Sequence, residues 1–171
     1  NQKTPLINHL IADQEEYKSI LVFTSTKKKV SEIVRGLRNK NYRVEAISSD
    51  FEQSKREDIM CDFRANKIRV LVATDLISRG VDIPDIDLVI NYDAPGNAEE
   101  YVHRIGRTGR AGAEGVALTL INQYDMDKFA DIEKLIEKKV YRAQMPDFIG
   151  EGPEWNLRIK RNKKGKRSHG K

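Results

Sequence analysis

The chain has 171 residues, 39% hydrophobic, 33% charged and 7% aromatic, which fits one compact soluble domain and argues against a two-domain enzyme. Its net charge of +5 divides unevenly: Arg158 to Lys171 carries eight Lys and Arg with no acid, leaving 23 basic against 26 acidic residues in the body. No apolar run nears the roughly 20 residues of a membrane-spanning helix, and one cysteine, Cys61, with no spaced Cys/His set for zinc, points to a reducing compartment.

The predicted elements alternate between two periods. Leu6, Ile7, Leu10 and Ile11 fall at helical spacing, and Ile20 to Phe23 is a short continuous apolar run of the kind found in a strand covered on both faces. Val30, Ile33, Val34 and Leu37 repeat at helical intervals behind Thr26, which is placed to cap them. Val44 to Ile47 reads as a strand, Lys55 to Phe63 as a helix, and Ile68 to Ala73 as the next strand. A strand at Leu88 to Ile90 follows a polar loop, then a helix near Ala98 to Ile105 and a Gly-rich loop. A strand at Val116 to Ile121 and a helix from about Asp125 to Lys139 complete the series. Strands that alternate with helices and lack polar alternation imply an α/β fold with a mostly parallel sheet covered on both faces. Cys61 is expected as a small core residue on the apolar face of its helix. After Ala143, Pro146, Gly150, Gly152 and Pro153 signal an extended segment, so the expected division is a domain over 1–143 and an extended basic tail over 144–171. Trp155 in that segment is expected to pack on the domain rather than stack on a base. Asn1 is not a Met and no secretory leader pattern follows it, which gives the expectation of a fragment or a processed chain.

Four polar clusters follow the predicted strands: Thr24-Ser25-Thr26, Ser48-Ser49-Asp50, Thr74-Asp75 and Asn91-Tyr92-Asp93. All lie at strand carboxyl ends, the edge where open α/β sheets bind ligands. Single clusters of this kind are ordinarily caps and turns; four on one edge suggest more. The strongest signal is the run from Tyr101 to Gly112, in which Arg104, Arg107 and Arg110 recur every third residue in step with Gly106, Gly109 and Gly112. Guanidinium groups gathered without acids suit an anion: each offers a planar fork to phosphate, and the glycines let the backbone and ligand approach closely; a solvated cationic loop, or salt bridges to Glu99, Glu100 or Glu114, is the alternative. A second constellation, Thr74-Asp75 with Arg79-Gly80-Val81-Asp82, ends in an acid able to accept hydrogen bonds from ribose hydroxyls, although a turn aspartate before Ile83-Pro84 is the alternative. The density of cations in the tail suits a polyanion.

The run from Val70 to Gly112 resembles the C-terminal RecA-like domain of DEAD-box RNA helicases, within helicase superfamily 2, and a weaker likeness extends from about Leu6 to Lys139. His103 to Arg110 matches that family's motif VI at every position. Thr74-Asp75 with Arg79 to Asp82 matches motif V, Phe23 to Lys27 resembles motif IV, and Asp50, Gln53 and Arg56 fall at the spacing of motif IVa. The chain departs from the family where His-Gly usually precedes the motif IVa aspartate and Ser48-Ser49 stands instead.

The resemblance implies a RecA-like three-layer α/β/α sandwich and a set of roles. Arg107 and Arg110 would act as arginine fingers on the γ-phosphate of ATP. Asp82 would hold the ribose, with Gly80 and Arg79 supporting the nucleotide. His103 and Arg104 would couple this half to an N-terminal RecA-like domain, and Thr26, Lys27, Gln53, Arg56 and Thr74 would contact the RNA sugar-phosphate backbone. The implied ligands are ATP, Mg2+ bound mainly by the N-terminal domain, and RNA; the implied setting is the cytoplasm, with no membrane and a monomeric fragment. The chain has no G-x-x-x-x-G-K-[ST] phosphate loop and no Asp-Glu-Ala-Asp run, so by itself it is expected to lack ATPase activity. Two other readings stay open: half of a superfamily 2 DNA helicase, which the histidine at position 103 weakens, and a non-enzymatic RNA-binding module.

Overall fold

The structure, a computed structural model, describes residues 2–12, 16–74, 85–109 and 114–157. Ile20–Phe23 (β1), Val44–Ile47 (β2), Val70–Ala73 (β3), Leu88–Asn91 (β4) and Val116–Thr119 (β5) form one sheet in the order β2-β3-β1-β4-β5. Every pairing among these five strands is parallel, so the expected mostly parallel sheet is wholly parallel in the described residues. Register aligns the strand ends: Phe23 pairs with both Ala73 and Asn91, Ile47 with Ala73, and Asn91 with Thr119. One carboxyl edge therefore carries Ser48, Thr74, Thr24 and Tyr92 at successive strands.

The continuous apolar runs exist because the sheet is covered twice. Alternate residues of β1 face opposite cores. Ile20 and Val22 pack with Val44, Val70, Val72, Leu88 and Ile90 beneath Lys3–Leu10 (α1) and Lys27–Arg38 (α2), through Ile7, Val30, Val34 and Leu37. Leu21 and Phe23 pack with Ile47, Leu71, Ala73 and Val89 beneath Gln53–Arg64 (α3), through Ile59, Met60 and Phe63. This is the three-layer sandwich that the resemblance implied. A third cluster joins Ala98–Ile105 (α4) to Met126–Leu135 (α5), where Tyr101 meets Phe129 edge to face at 5.6 Å.

Two expectations need correction. Cys61 is exposed: at about 100° per residue it stands opposite the face that Ile59 and Phe63 bury. The last helix stops at Leu135 rather than near Lys139, because Glu137 turns left-handed at φ 54° and the Lys138 N–H closes back on the Glu133 carbonyl. Beyond it the chain returns to the body. A 3-10 turn at Asp147–Ile149 lets Phe148 meet His9 at 5.0 Å, and Trp155 stands 6.5 Å from Phe129 with the Arg142 guanidinium 4.0 Å above its ring.

Candidate functional site

The carboxyl edge is organised around the turn between β1 and α2. Thr26 caps α2 by accepting from the Lys29 N–H at 3.3 Å, which fixes the turn and leaves Ser25, Thr26, Lys27 and Lys28 exposed at its crest. The Lys27 Nζ donates to Asp50, which follows β2. The pair spans the end of the intervening β3, where Thr74 sits half-buried beside Thr24. Gln53 and Arg56 occupy the first turns of α3 at the same edge. Gln53 donates to Glu57 at 2.8 Å and accepts from Arg56 at 3.3 Å. The five positions assigned to RNA by resemblance thus share one edge on the β2-β3-β1 side.

Asp93, just past β4, gathers the turn from the other side. Its Oδ2 accepts from the Thr24 hydroxyl at 2.7 Å, the Ser25 N–H at 2.8 Å and the Ser25 hydroxyl at 2.9 Å, and its Oδ1 takes the Lys29 Nζ at 2.8 Å. Burial pushes this carboxyl up, but the donors outweigh it and hold it well below the usual carboxylate range. Lys3 Nζ donates to the Tyr92 carbonyl at 2.6 Å and stands 4.0 Å from Asp93; its burial lowers its pKa from the ordinary value against the pull of Asp93 and Asp125.

Helix α4 runs from this edge toward the opposite end of β4. Asn97 caps it by accepting from the Glu100 N–H at 2.9 Å. Arg104 is 2% exposed. Its Nη1 donates to the Asn91 side chain at 3.2 Å and to the Asp93 carbonyl at 3.1 Å, and its guanidinium lies 5.3 Å from the Phe23 ring. His103, its neighbour, is exposed. Past the Gly106 cap the chain bends against the start of β4: Ile86 N–H donates to the Arg107 carbonyl at 3.1 Å and the Thr108 hydroxyl donates to the Ile86 carbonyl. Gly115 seals this bend, because a Cβ there would fall 1.9 Å from Thr108 Oγ1. Arg107 is half-buried at that bend.

Arg79, Gly80, Asp82 and Arg110 lie outside the described residues, as does the tail from 158. The sequence reading gave no role to Asp93, Lys29 or Lys3. The one signal available was position, an acid two residues past a strand in a cluster of strand-end polar residues. Among the described residues no group of three or more His, Cys, Asp and Glu could hold a metal ion, and no helix is long and apolar enough to cross a membrane.

Comparison with known proteins bears on the same residues. Residues 2–112 match the helicase conserved C-terminal domain family. The chain is 40% identical over 131 residues to the ATP-dependent RNA helicase eIF4A of Kluyveromyces lactis, covering 77% of this chain and 33% of that protein. It is 40% identical over 146 residues to DEAD-box ATP-dependent RNA helicase 10 of Arabidopsis thaliana, covering 85% and 31%. The chain spans about a third of the length of these curated relatives. Among solved structures, the E. coli DEAD-box protein SrmB bound to regulator of ribonuclease activity A superposes with a TM-score of 0.81 at 33% identity, over 90% of this chain and 88% of that one. The S. cerevisiae Dbp5 bound to RNA and ADP BeF3 superposes with a TM-score of 0.70 at 31% identity, over 78% and 36%. A sheet of this order, carrying these strand-end clusters and the Tyr101 to Gly109 run, is what such similarity describes, and the chain belongs to the helicase C-terminal domain family, as a RecA-like domain of the DEAD-box group in superfamily 2.

Proposed function

We propose that the chain is the C-terminal half of an ATP-dependent RNA helicase, which works with an N-terminal RecA-like domain to couple ATP binding and hydrolysis to local separation of RNA strands. The observation that carries this reading is α4. One helix of about 12 Å starts at the carboxyl edge, locks Arg104 beneath Phe23 and Asn91, and ends by presenting Arg107 at the other end of β4. Both kinds of contact are then fastened to one rigid element.

The carboxyl edge suits a sugar-phosphate backbone. Thr26 and Lys27 crest the α2 turn, and Thr74 and the start of α3 adjoin it, so hydroxyl, ammonium and guanidinium donors line one edge, which suits phosphate and sugar oxygens. Arg107, joined by Arg110, offers guanidinium forks to the γ-phosphate, where charge spreads over oxygens during phosphoryl transfer. Asp82 would accept from the ribose hydroxyls, with Gly80 and Arg79 beside it. Exposed His103 would meet the partner domain, while buried Arg104 would transmit α4's position to the Phe23 strand. Mg2+, when bound, would neutralise charge on the phosphates. The groups assigned here to phosphate oxygens, Thr26, Lys27, Arg107 and Arg110, are hydroxyls and cations rather than the carboxylates that suit a hard cation, so the Mg2+ ligands are assigned to the other half.

The test is the full-length protein, assayed for ATP hydrolysis and duplex separation with RNA and DNA as separate activators. Stimulation by RNA alone supports the reading. Equal stimulation by DNA favours a DNA motor, and no hydrolysis with either favours a binding module.

A further inference from the structure

β1 and β4 lie side by side, but the chain leaves β1 toward β2 on one flank and leaves β4 toward β5 on the other. The crevice between the carboxyl ends of two such strands is the usual ligand site of an open α/β sheet. Here the Asp93 side chain fills it, 16% exposed. Its carboxylate takes Thr24 and Ser25 from the end of β1 and Lys29 from the first turn of α2, while its backbone carbonyl takes Arg104 from α4. Thr26 and Lys27 lie between the two anchored points, Ser25 and Lys29. Lys29 is drawn inward by this carboxylate, whereas Lys27 and Lys28 stay exposed.

We propose that Asp93 is a positioning residue that registers the RNA-contacting turn on the helix that carries Arg107, its side chain holding the Thr24–Lys29 turn and its backbone holding Arg104. The inference rests on the function proposed above. It makes a split that a general structural role would not. Truncating the side chain releases both ends of the turn and removes the carboxylate that holds the Lys29 ammonium, yet leaves the carbonyl that binds Arg104. The RNA interaction should weaken while the ATP interaction persists.

The experiment uses the full-length protein with Asp93→Ala and Asp93→Asn, the second keeping the shape while removing the charge, and Ile68→Ala as a core variant at the amino end of β3, away from the edge. Three quantities are read: the RNA concentration that half-saturates ATPase stimulation, the KM for ATP, and hydrogen exchange at the Ser25 and Lys29 amides. We expect the RNA constant to rise roughly 10-fold or more, the KM for ATP to stay within about twofold, and both amides to exchange faster in the Asp93 variants. Ile68→Ala should lower the thermal midpoint and leave both constants in place. An unchanged RNA constant in both Asp93 variants, or RNA and ATP constants that worsen together, overturns the proposal. A wild-type protein without RNA stimulation overturns the proposed function instead; the exchange of Ser25 and Lys29 then decides positioning, with wild-type rates in Asp93→Ala refuting it.

Discussion

Glu133 keeps a charge inside the molecule, with its side chain 1% exposed, because three donors meet it. Arg142 grips both oxygens at 2.7 and 2.8 Å and the Val140 N–H adds a third bond at 2.7 Å. The guanidinium bonds come first in setting the carboxyl at about 2 against an ordinary 4.5, outweighing the cost of burial, with the Val140 N–H assisting. A carboxyl whose folded pKa lies below its unfolded one stabilises the protein fully above the unfolded value and loses that contribution as pH falls through the folded value. Here the window runs from about 4.5 down to about 2. A depression of that size sets an upper bound of roughly 3 kcal/mol, and solvent around Arg142, 40% exposed, screens it to about 1–2 kcal/mol. Denaturant unfolding followed by Trp155 fluorescence should therefore show Glu133→Gln less stable at neutral pH by about that amount, with a shallower decline through the acid window. An acid limb as steep as wild type would assign the loss to another group.

At the scale of elements, α2 combines a satisfied cap at Thr26 with an apolar face of Val30, Val34 and Leu37, and has one weak point, Gly36. A Cβ at Gly36 would meet nothing within 4 Å, and glycine inside a helix costs about 0.5–1 kcal/mol relative to alanine. Gly36→Ala is expected to raise the thermal midpoint by a few degrees without touching the carboxyl edge; a lowered midpoint would mean that α1 and α2 approach more closely than this structure has them. Elements of this type were legible because burial on both faces writes itself as uninterrupted Ile, Leu and Val, as in β1 and β3. Cys61 was misplaced because a helix with apolar residues at 59, 60 and 63 leaves its neighbour at 61 facing out. Residues 140–157 carried no period to read: Arg142, Phe148 and Trp155 are held by contacts with Glu133, His9 and Phe129, each far away in sequence.

For the molecule as a whole, the proposed function divides the sheet by end. The groups assigned to RNA gather on the carboxyl edge of β2, β3 and β1, and α4 leads from that edge to Arg107 at the opposite end of β4. The strings Thr24 to Lys27 and His103 to Arg107 were readable because each is short and local. Asp93 was not, since its partners Thr24, Ser25 and Lys29 lie 64 to 69 residues away and meet it only through the β1–β4 pairing. Arg104, which sequence reading places beside His103 in one role, sits in a different environment, buried while the histidine is exposed. A site so divided predicts that damage at the two ends separates: the edge governs RNA and the α4 bend governs turnover.

The most direct measurement is the turnover number of the full-length protein at saturating ATP and RNA, for wild type, Arg107→Ala and Arg107→Lys. An arginine that stabilises charge on the transferring phosphate is worth roughly 10³- to 10⁵-fold in rate, and lysine cannot supply the two-point grip. Both variants should lose at least about 10³-fold in turnover while keeping RNA affinity within a few-fold of wild type. Turnover that survives Arg107→Ala, or RNA affinity that collapses with it, would contradict the assignment of this arginine to the nucleotide.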